Sequence, residues 1–414
     1  MPGNQNHLLN RPACNPRLWA LDPQVVYLNH GAFGACPRAV LEYQRKIRDR
    51  LERQPIQFFV RDLEELLDDA RGALSEFLGA DPAGLVFVPN ATAGVNTVLR
   101  SLRFKRGDEL LVTDHEYNAC RNALNFIAER SGALVVVANV PFPLRSEAEI
   151  IDAVISRATS RTRLALLDHV TSQTGLVLPI QTLVRKLAQH GVETLVDGSH
   201  APGMVPLKMR KLSAAYYTGN CHKWLCAPKG AGFLWTRRDR RQSIRPLSIS
   251  HGANSTRADR TRYLIEFGWT GTTDPSACLS VPEALRFVGA LLAGGWAAVM
   301  KRNRALALAA RTMLCEALQI DRPCPDEMIG SLAAVPLADG TDAKPPKSPL
   351  YQDPIQERLL SQYRVEVPII PWPAPPKRLL RISAQLYNSL PQYERLAEAV
   401  KSLLVMRVQR FKRK

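Results

Sequence analysis

Lys223 lies in the stretch TGNCHKWLCAPKGAGFL, Thr218 to Leu234, between His222 and Trp224 and ahead of the apolar Leu225, Cys226 and Ala227. An amine becomes a nucleophile toward a carbonyl when partial burial or a nearby cation lowers its pKa, and this neighbourhood offers such a setting. Asp197 stands 26 residues earlier, in the run TLVDGSH. A lysine and a carboxylate after two strands match what a pyridoxal phosphate cofactor requires: an amine for its aldehyde and an anion for its pyridine nitrogen. With that nitrogen protonated, the ring draws electrons and stabilises a carbanion at a substrate α-carbon. The cofactor also needs a phosphate site. The run FVPNATAGVNTVL, Phe87 to Leu99, passes from a strand through small and hydroxyl residues into a helix. Thr92 and the amides of Ala91 to Gly94 would then form a helix N-terminus suited to an anion, with Thr218 and His222 as further donors. Each residue alone has a plainer reading. The Lys223 stem can pack on Trp224, Asp197 can cap a turn, and Asn90 or Thr92 can cap the helix. It is the combination that points to a cofactor.

The elements that must position these residues alternate between two periods. Strand-like runs cover Leu85 to Val88, Glu109 to Asp114, Ala133 to Val140, Arg163 to Val170, Thr194 to His200, Ala215 to Asn220 and Ala231 to Thr236. Their near-continuous apolar character suits a mostly parallel, seven-stranded sheet covered on both faces. Helical patterns fall between several of them, at Ala93 to Leu102, Ala119 to Arg130, Glu147 to Arg157 and Ile180 to His190. The fold expected is α/β and doubly wound. In such sheets ligands bind beyond the carboxyl ends of the strands. Polar and titratable residues recur there, at Asn90 to Gly94, Asp114 to Asn118, Thr171 to Gly175, Asp197 to His200 and Thr218 to Lys223.

The last part of the chain differs. Val281 to Leu318 reads as helices around Gly294-Gly295, Gly330 to Leu337 and Leu379 to Tyr387 read as strands, and Gln392 to Met406 reads as a final helix. Ala338 to Tyr351 is a polar, Pro-rich loop. The organisation expected is an N-terminal segment (residues 1–58) contributing to the active site and small domain, a large α/β domain (59–280) and a smaller α+β domain (281–414).

Composition narrows the class. The 414 residues hold no apolar run of the roughly 18 residues a membrane span needs, and the N-terminus does not read as a secretion signal, so a cytoplasmic protein without membrane contact is expected. The eight cysteines form no CxxC pair and have no zinc spacing with histidines; they read as reduced thiols, and no metal is expected. The net charge of +17 gathers in Arg237 to Arg245, Thr256 to Arg262 and the tail Arg407 to Lys414. Without interleaved aromatics this reads as a solvated basic surface, not a specific nucleic-acid site.

Seven segments together resemble the class V aminotransferase family, fold type I pyridoxal phosphate enzymes. They are YLNHGAFG, NATAGVN, DHEYNA, VDGSHAPG, YYTGNCHKWLCAPKGAGFL, WTGTTDPSA and RISAQLYN, in family order from Tyr27 to Asn388. The best match is the branch of isopenicillin N epimerase-like proteins. The resemblance implies that Lys223 forms the Schiff base, Asp197 pairs with the pyridine nitrogen and His200 lies near the ring hydroxyl. Ala91 with Thr92, and Thr218 with His222, would hold the phosphate. Thr272 would reach the phosphate of the partner subunit in a homodimer. Arg381 would clamp the carboxylate of a small amino-acid substrate, a bidentate task suited to guanidinium. His115 is favoured against the ring, with Tyr117 as competitor; Thr171 and Ser172 would flank the ring, and Asn29 and His30 belong to the N-terminal active-site segment.

Loss of the α-proton leads to racemisation, transamination or β-elimination, with Lys223 as the acid–base group. Epimerisation needs a second acid, for which Tyr117, His115 or a water would serve. The family's cysteine desulfurases carry a nucleophilic cysteine on a loop before the carboxylate-binding arginine. Glu366 to Leu380 contains none, so persulfide transfer is not expected. The leading expectation is an epimerase-like enzyme. A carbon–sulfur β-lyase or an aminotransferase is the alternative. Intact Lys223, Asp197 and Arg381 argue against a non-enzymatic basic binding protein.

Overall fold

The structure is a computed structural model that describes residues 8–340 and 353–411, with side chains to residue 404. The expected Pro-rich loop lies largely outside the described residues, as do the side chains of the basic tail.

Near its start the chain forms a short strand, Val26–Tyr27 (β1), then two helices, Arg38–Arg53 and Leu63–Leu78, joined through a wide helical turn at Gln57–Asp62. The large sheet follows: Leu85–Val88 (β2), Glu109–Thr113 (β3), Leu134–Ala138 (β4), Thr162–Asp168 (β5), Glu193–Asp197 (β6), Tyr216–Asn220 (β7) and Gly232–Thr236 (β8). All seven strand-like runs are strands of one sheet, in the order β2-β8-β7-β6-β5-β3-β4. β8 runs antiparallel to both its neighbours, and the remaining pairings are parallel.

Alternation along each strand divides its side chains between two apolar cores. Leu111, Ala165, Leu167, Val196 and Tyr217 enter one core. Leu110, Val112, Leu164, Leu166, Leu195 and Tyr216 enter the other. Helix Ile180–Gln189 closes the first face through Ile180, Leu183, Val184 and Leu187, an i, i+3, i+4, i+7 stripe. Helices Ala91–Ser101 and Asn118–Ser131 close the second through Val95, Val98, Leu99, Cys120 and Leu124. Each buried Leu or Val contributes about 1.5–3 kcal/mol relative to exposure. Covering both faces is therefore what makes near-continuous apolar strands stable.

The C-terminal part carries Leu332–Leu337 (β9), Val365–Glu366 (β10), Ile369–Pro371 (β11) and Arg378–Ser383 (β12). β9, β12 and β11 form an antiparallel sheet in the order β11-β12-β9, packed by helices Gly295–Leu318 and Leu390–Phe411. β12 stops at Ser383, short of the expected Tyr387, because the Asn388 side chain accepts from Gln385 N–H and folds the chain into a turn. β1 pairs in parallel with β10, Val26 with Val365 and Tyr27 with Glu366. This pairing carries the N-terminal segment to the far end of the sequence and holds it against the site. No described helix is long and apolar enough to cross a membrane.

One close contact sets the depth at which helix Ala91–Ser101 meets the sheet. A Cβ added at Gly94 would lie 2.0 Å from Thr218 Oγ1 and 2.7 Å from Thr218 Cβ on β7. Gly94→Ala therefore forces helix and strand apart, and we expect a loss of about 1–3 kcal/mol, as for other overpacked interiors. A urea midpoint unchanged by the substitution would contradict this packing.

Candidate active site

Lys223 sits on the connection from β7 to β8, whose backbone is closed by Cys221 N–H to Ala231 O (2.9 Å), Ala227 N–H to Cys221 O (3.0 Å) and Cys226 N–H to Lys223 O (3.0 Å). The N-terminal segment braces this loop from behind. His30 Nε2 contacts the Lys223 carbonyl at 3.0 Å, and His30 Nδ1 contacts Tyr387 Oη at 2.9 Å. Gly34, at φ 71°, presses so close that a Cβ there would lie 1.9 Å from the His222 carbonyl oxygen. Only glycine combines that φ with that approach.

The Lys223 side chain reaches into a cavity of about 500 Å³. Protein surrounds the side chain, and the cavity gives it partial access. Its Nζ lies 3.1 Å from His200 Nε2. Burial pushes the Lys223 amine down to about 8, the Arg381 charge adds to the effect, and Asp197, Cys120 and Asp168 oppose it. His200 is held well below its ordinary range, first by burial and then by Lys223. Trp224 Nε1–H donates to His200 Nδ1 at 3.4 Å. That bond leaves the single ring proton of a neutral His200 on Nε2, where it can donate to the lone pair of an uncharged Lys223 amine.

Asp197 ends β6, in register with Asp168 on β5 and Thr218 on β7. It lines the same cavity although it is only 1% exposed. Its Oδ1 accepts from Ser199 N–H (2.8 Å) and Ser199 Oγ–H (2.5 Å), and its Oδ2 accepts from the Cys120 thiol (3.1 Å). These bonds fix its orientation in the cavity wall.

The anion end differs in detail from the sequence expectation. Helix Ala91–Ser101 has Asn90 as its cap, with Asn90 Oδ1 accepting from Ala93 N–H at 2.9 Å. Gly94 N–H bonds the Asn90 carbonyl, and Ala91 N–H bonds Asn220 Oδ1 at 2.8 Å. Thr92 remains on the cavity wall at the open end of the helix. Thr218 is fully buried, donates its hydroxyl to the Phe233 carbonyl at 2.7 Å and faces Gly94, so it does not line the cavity. Asn220, two residues on, does. His222 also lines it, with Nδ1 3.1 Å from the Ala231 carbonyl and burial holding its pKa down to about 4. Lys229 completes this end, its Nζ donating to the Gly34 carbonyl at 3.0 Å.

The remaining expected residues divide in the same way. Tyr117 lines the cavity and is 37% exposed. His115 does not line it: Nδ1 is 2.8 Å from Thr174 Oγ1, Nε2 is 3.0 Å from the Val140 carbonyl, and the ring packs edge-on to Trp372. Ser172 is on the wall, whereas the buried Thr171 hydroxyl accepts from Leu176 N–H at 2.8 Å and closes a turn. Arg381, on β12, donates through Nη1 to the Ser172 carbonyl and so borders the cavity. His30 stands behind Lys223, and Asn29 donates to Glu366 Oε1 at 3.2 Å; neither is on the wall. Thr272 is exposed and outside this wall. Sequence reasoning missed Asp168, Ser199, Asn220 and Lys229, all of which line the cavity. Each lies within six residues of a motif residue, and only the local strand ends reveal which of them face inward.

The donor set fits pyridoxal phosphate. Lys223 offers an amine for the aldehyde, Asp197 an anchored carboxylate for the ring nitrogen, and Thr92, Asn220, His222 and Lys229 line the cavity as polar groups for the phosphate. A volume of about 500 Å³ is in the range of small-ligand sites. Labelling of the cofactor-free protein with an amine-acylating reagent, followed at the Lys223 peptide, should show a rate that rises with pH through a midpoint near 8. Arg381→Gln removes a cation that holds the amine down, so it should move the midpoint upward. A midpoint near the ordinary 10.5 in the unaltered chain would contradict the description of this site.

Comparison with known proteins bears on the same site. Residues 26–343 match the family model of class-V aminotransferases. An isopenicillin N epimerase of Amycolatopsis lactamdurans is 35% identical over 398 residues, covering 93% of this chain and 96% of that protein. A probable chloroplastic L-cysteine desulfhydrase of Arabidopsis thaliana is 32% identical over 408 residues, covering 92% and 84%. Among solved structures, a variant of the lyase C-DES with glycine covalently linked to its pyridoxal phosphate cofactor superposes with a TM-score of 0.75 at 22% identity, over 92% of this chain and 97% of that one. The chain belongs to the class V aminotransferases, a family of pyridoxal phosphate-dependent enzymes with the fold type I architecture.

Proposed function

We propose that this enzyme moves a proton at the α-carbon of a small amino-acid or amino-acyl substrate, and that the reaction it completes is epimerisation. The observation that carries the reading is the Lys223 amine, lowered to about 8 and set against His200 on the wall that also presents Asp197. The cofactor, when bound, supplies an electron-withdrawing ring that makes the substrate's α-hydrogen acidic. Asp197 would hold the ring nitrogen, and Thr92, Asn220, His222 and Lys229 would hold the phosphate. Tyr117, not His115, is the aromatic residue available to the ring. Arg381 binds the substrate carboxylate and orients the α-hydrogen. His30, Tyr387 and Gly34 keep the lysine loop in place without touching substrate.

Lys223 Nζ removes the proton. With its pKa about 8, the amine is half uncharged at that pH and remains a competent base and acid near neutrality. Epimerisation also requires a second proton-bearing group on the face of the α-carbon away from Lys223, and Tyr117, which lines the same cavity, would supply it. Elimination across a carbon–sulfur bond is the second reading. It shares the first proton transfer, and a relative with that activity in its name is 32% identical, against 35% for an epimerase. No cysteine lines the cavity among the described residues, which supports both readings over persulfide transfer to a cavity thiol. Thr272 fits a role at the phosphate of a second copy in a homodimer. Phe33 supports that assembly, being 61% exposed while lining the cavity.

The test is incubation of the loaded enzyme in deuterated water with isopenicillin N and with L-cysteine. We expect deuterium at the α-carbon with inversion, and Lys223→Ala should slow exchange on the order of 10²–10⁴-fold. Pyruvate and sulfide without inversion would move the assignment to elimination. Absence of exchange together with absence of product would overturn both readings, and a monomer by sedimentation would remove the homodimer.

A further inference from the structure

Directly beside Asp197 the fold buries two more carboxyl groups. Asp168 ends β5 opposite Asp197 on β6, is 3% exposed, and lines the cavity. Glu116, from the segment between β3 and helix Asn118–Ser131, is 5% exposed. Its carboxyl lies within 4.8 Å of both the Asp197 carboxylate and the Cys120 thiol. Glu116 Oε1, Glu116 Oε2 and Asp168 Oδ2 are all buried without a conventional donor among the described residues. Acceptors this deep are costly when left unmatched. Here the two carboxyl groups meet each other, and such a contact is stable only when a proton lies between them. Burial, then Asp168 and Asp197, raise the Glu116 carboxyl far above its ordinary range, and its hydrogen bond to Asp168 acts the same way. Burial, then the Asp197 charge, raise the Asp168 carboxyl well above its ordinary range, while the Glu116 bond and the Lys223 charge lower it, the pattern of Glu116 as donor and Asp168 as acceptor.

We propose that Asp168 is a second carboxylate of the cofactor site, set beside Asp197 for the protonated ring nitrogen, and that Glu116 donates its carboxyl proton to Asp168 to hold it there. The inference rests on the assignment of the ring nitrogen to Asp197. Asp197 is anchored by Ser199 and Cys120 and makes the direct contact. Asp168 acts through space from the adjacent strand end. Burial and Asp197 favour the neutral form of Asp168, and a pyridinium beside it would supply the opposite charge that returns it to the anion; two anions in a low-dielectric pocket then favour the protonated ring more than one does. Glu116, by staying neutral, spares the pocket a third charge while giving Asp168 a donor.

The test compares two ligands on the cofactor-free protein: pyridoxal phosphate, and the analogue in which a C–H replaces the ring nitrogen. The analogue cannot carry the pyridinium charge and is otherwise close in shape. Asp168→Asn should weaken pyridoxal phosphate about tenfold and leave the analogue's affinity as it was. Glu116→Gln supplies an N–H where the carboxyl O–H stood, so the ratio of the two dissociation constants should stay at the unaltered chain's value. Asp197→Asn should lower the discrimination more than Asp168→Asn. Equal losses for both ligands in Asp168→Asn would overturn the proposal in favour of a structural role. A changed ratio in Glu116→Gln would overturn the placement of the proton. If Asp197→Asn discriminates and Asp168→Asn does not, this inference fails alone; if Asp197→Asn does not discriminate, the assignment of the ring nitrogen fails first. Should Asp168→Asn not fold, Asp168→Ser gives the same comparison.

Discussion

The contact between Lys223 Nζ and His200 Nε2 is the constraint on which the site depends. An amine brought this close to an imidazole works as a base only if the imidazole stays neutral and the amine's uncharged form is within reach near neutral pH. Burial and the Arg381 cation push in that direction, while Asp197, Asp168 and Cys120 pull the amine back toward its charged form. The balance at about 8 comes from groups on β5, β6, β12 and helix Asn118–Ser131. No local stretch of sequence creates it. The strands must first bring these residues to one end of the sheet, and the C-terminal sheet must bring Arg381 across to Ser172.

The same dependence explains the path of the N-terminal segment. A loop carrying a lysine with the proposed role cannot be left to move, because small displacements of a reacting group are costly in rate. His30 holds the Lys223 carbonyl, Tyr387 holds His30, and Gly34 packs beneath His222. The N-terminal segment, Lys223 and Tyr387 are far apart in sequence, and the pairing of β1 with β10, together with bonds between Ser383 and both Leu28 and Gly31, joins them. Cysteines take a supporting part in this scaffold. Cys120 donates to Asp197, while Cys221 and Cys226 are buried and their thiols are raised, mainly by burial, so none is poised as a thiolate nucleophile.

Much of this was legible in the sequence. The seven large-sheet strands stood out because burial on both faces leaves runs of apolar residues flanked by polar turns. Lys223, Asp197, His200, His222, Thr92 and Ser172 stood out because they follow those runs directly. The two- and three-residue strands β1, β10 and β11 did not, since their pairing is set by tertiary contact and leaves no periodicity to read. The residues that differed share one geometric cause. Thr218 lies behind the wall while Asn220 is on it, and His115 lies behind it while Tyr117 is on it. In both cases the residue on the wall lies two positions farther along the chain, at the last residue of β7 or at the cap of helix Asn118–Ser131. Alternation identifies the face, but it does not tell how far the last turn of the neighbouring helix rises, and so it does not tell which residue of that face clears the lip. Asp168 was overlooked for a related reason: its partner in register, Asp197, is visible only once β5 and β6 are known to be neighbours.

The central claim is that Lys223 is the residue to which the cofactor is joined. Borohydride reduction of the protein purified with its cofactor, followed by peptide mass mapping, tests it most directly. The account predicts a phosphopyridoxyl group on the peptide containing Lys223 and on no other lysine. The modification on Lys229, the other lysine of the cavity wall, or on no peptide at all, would contradict it.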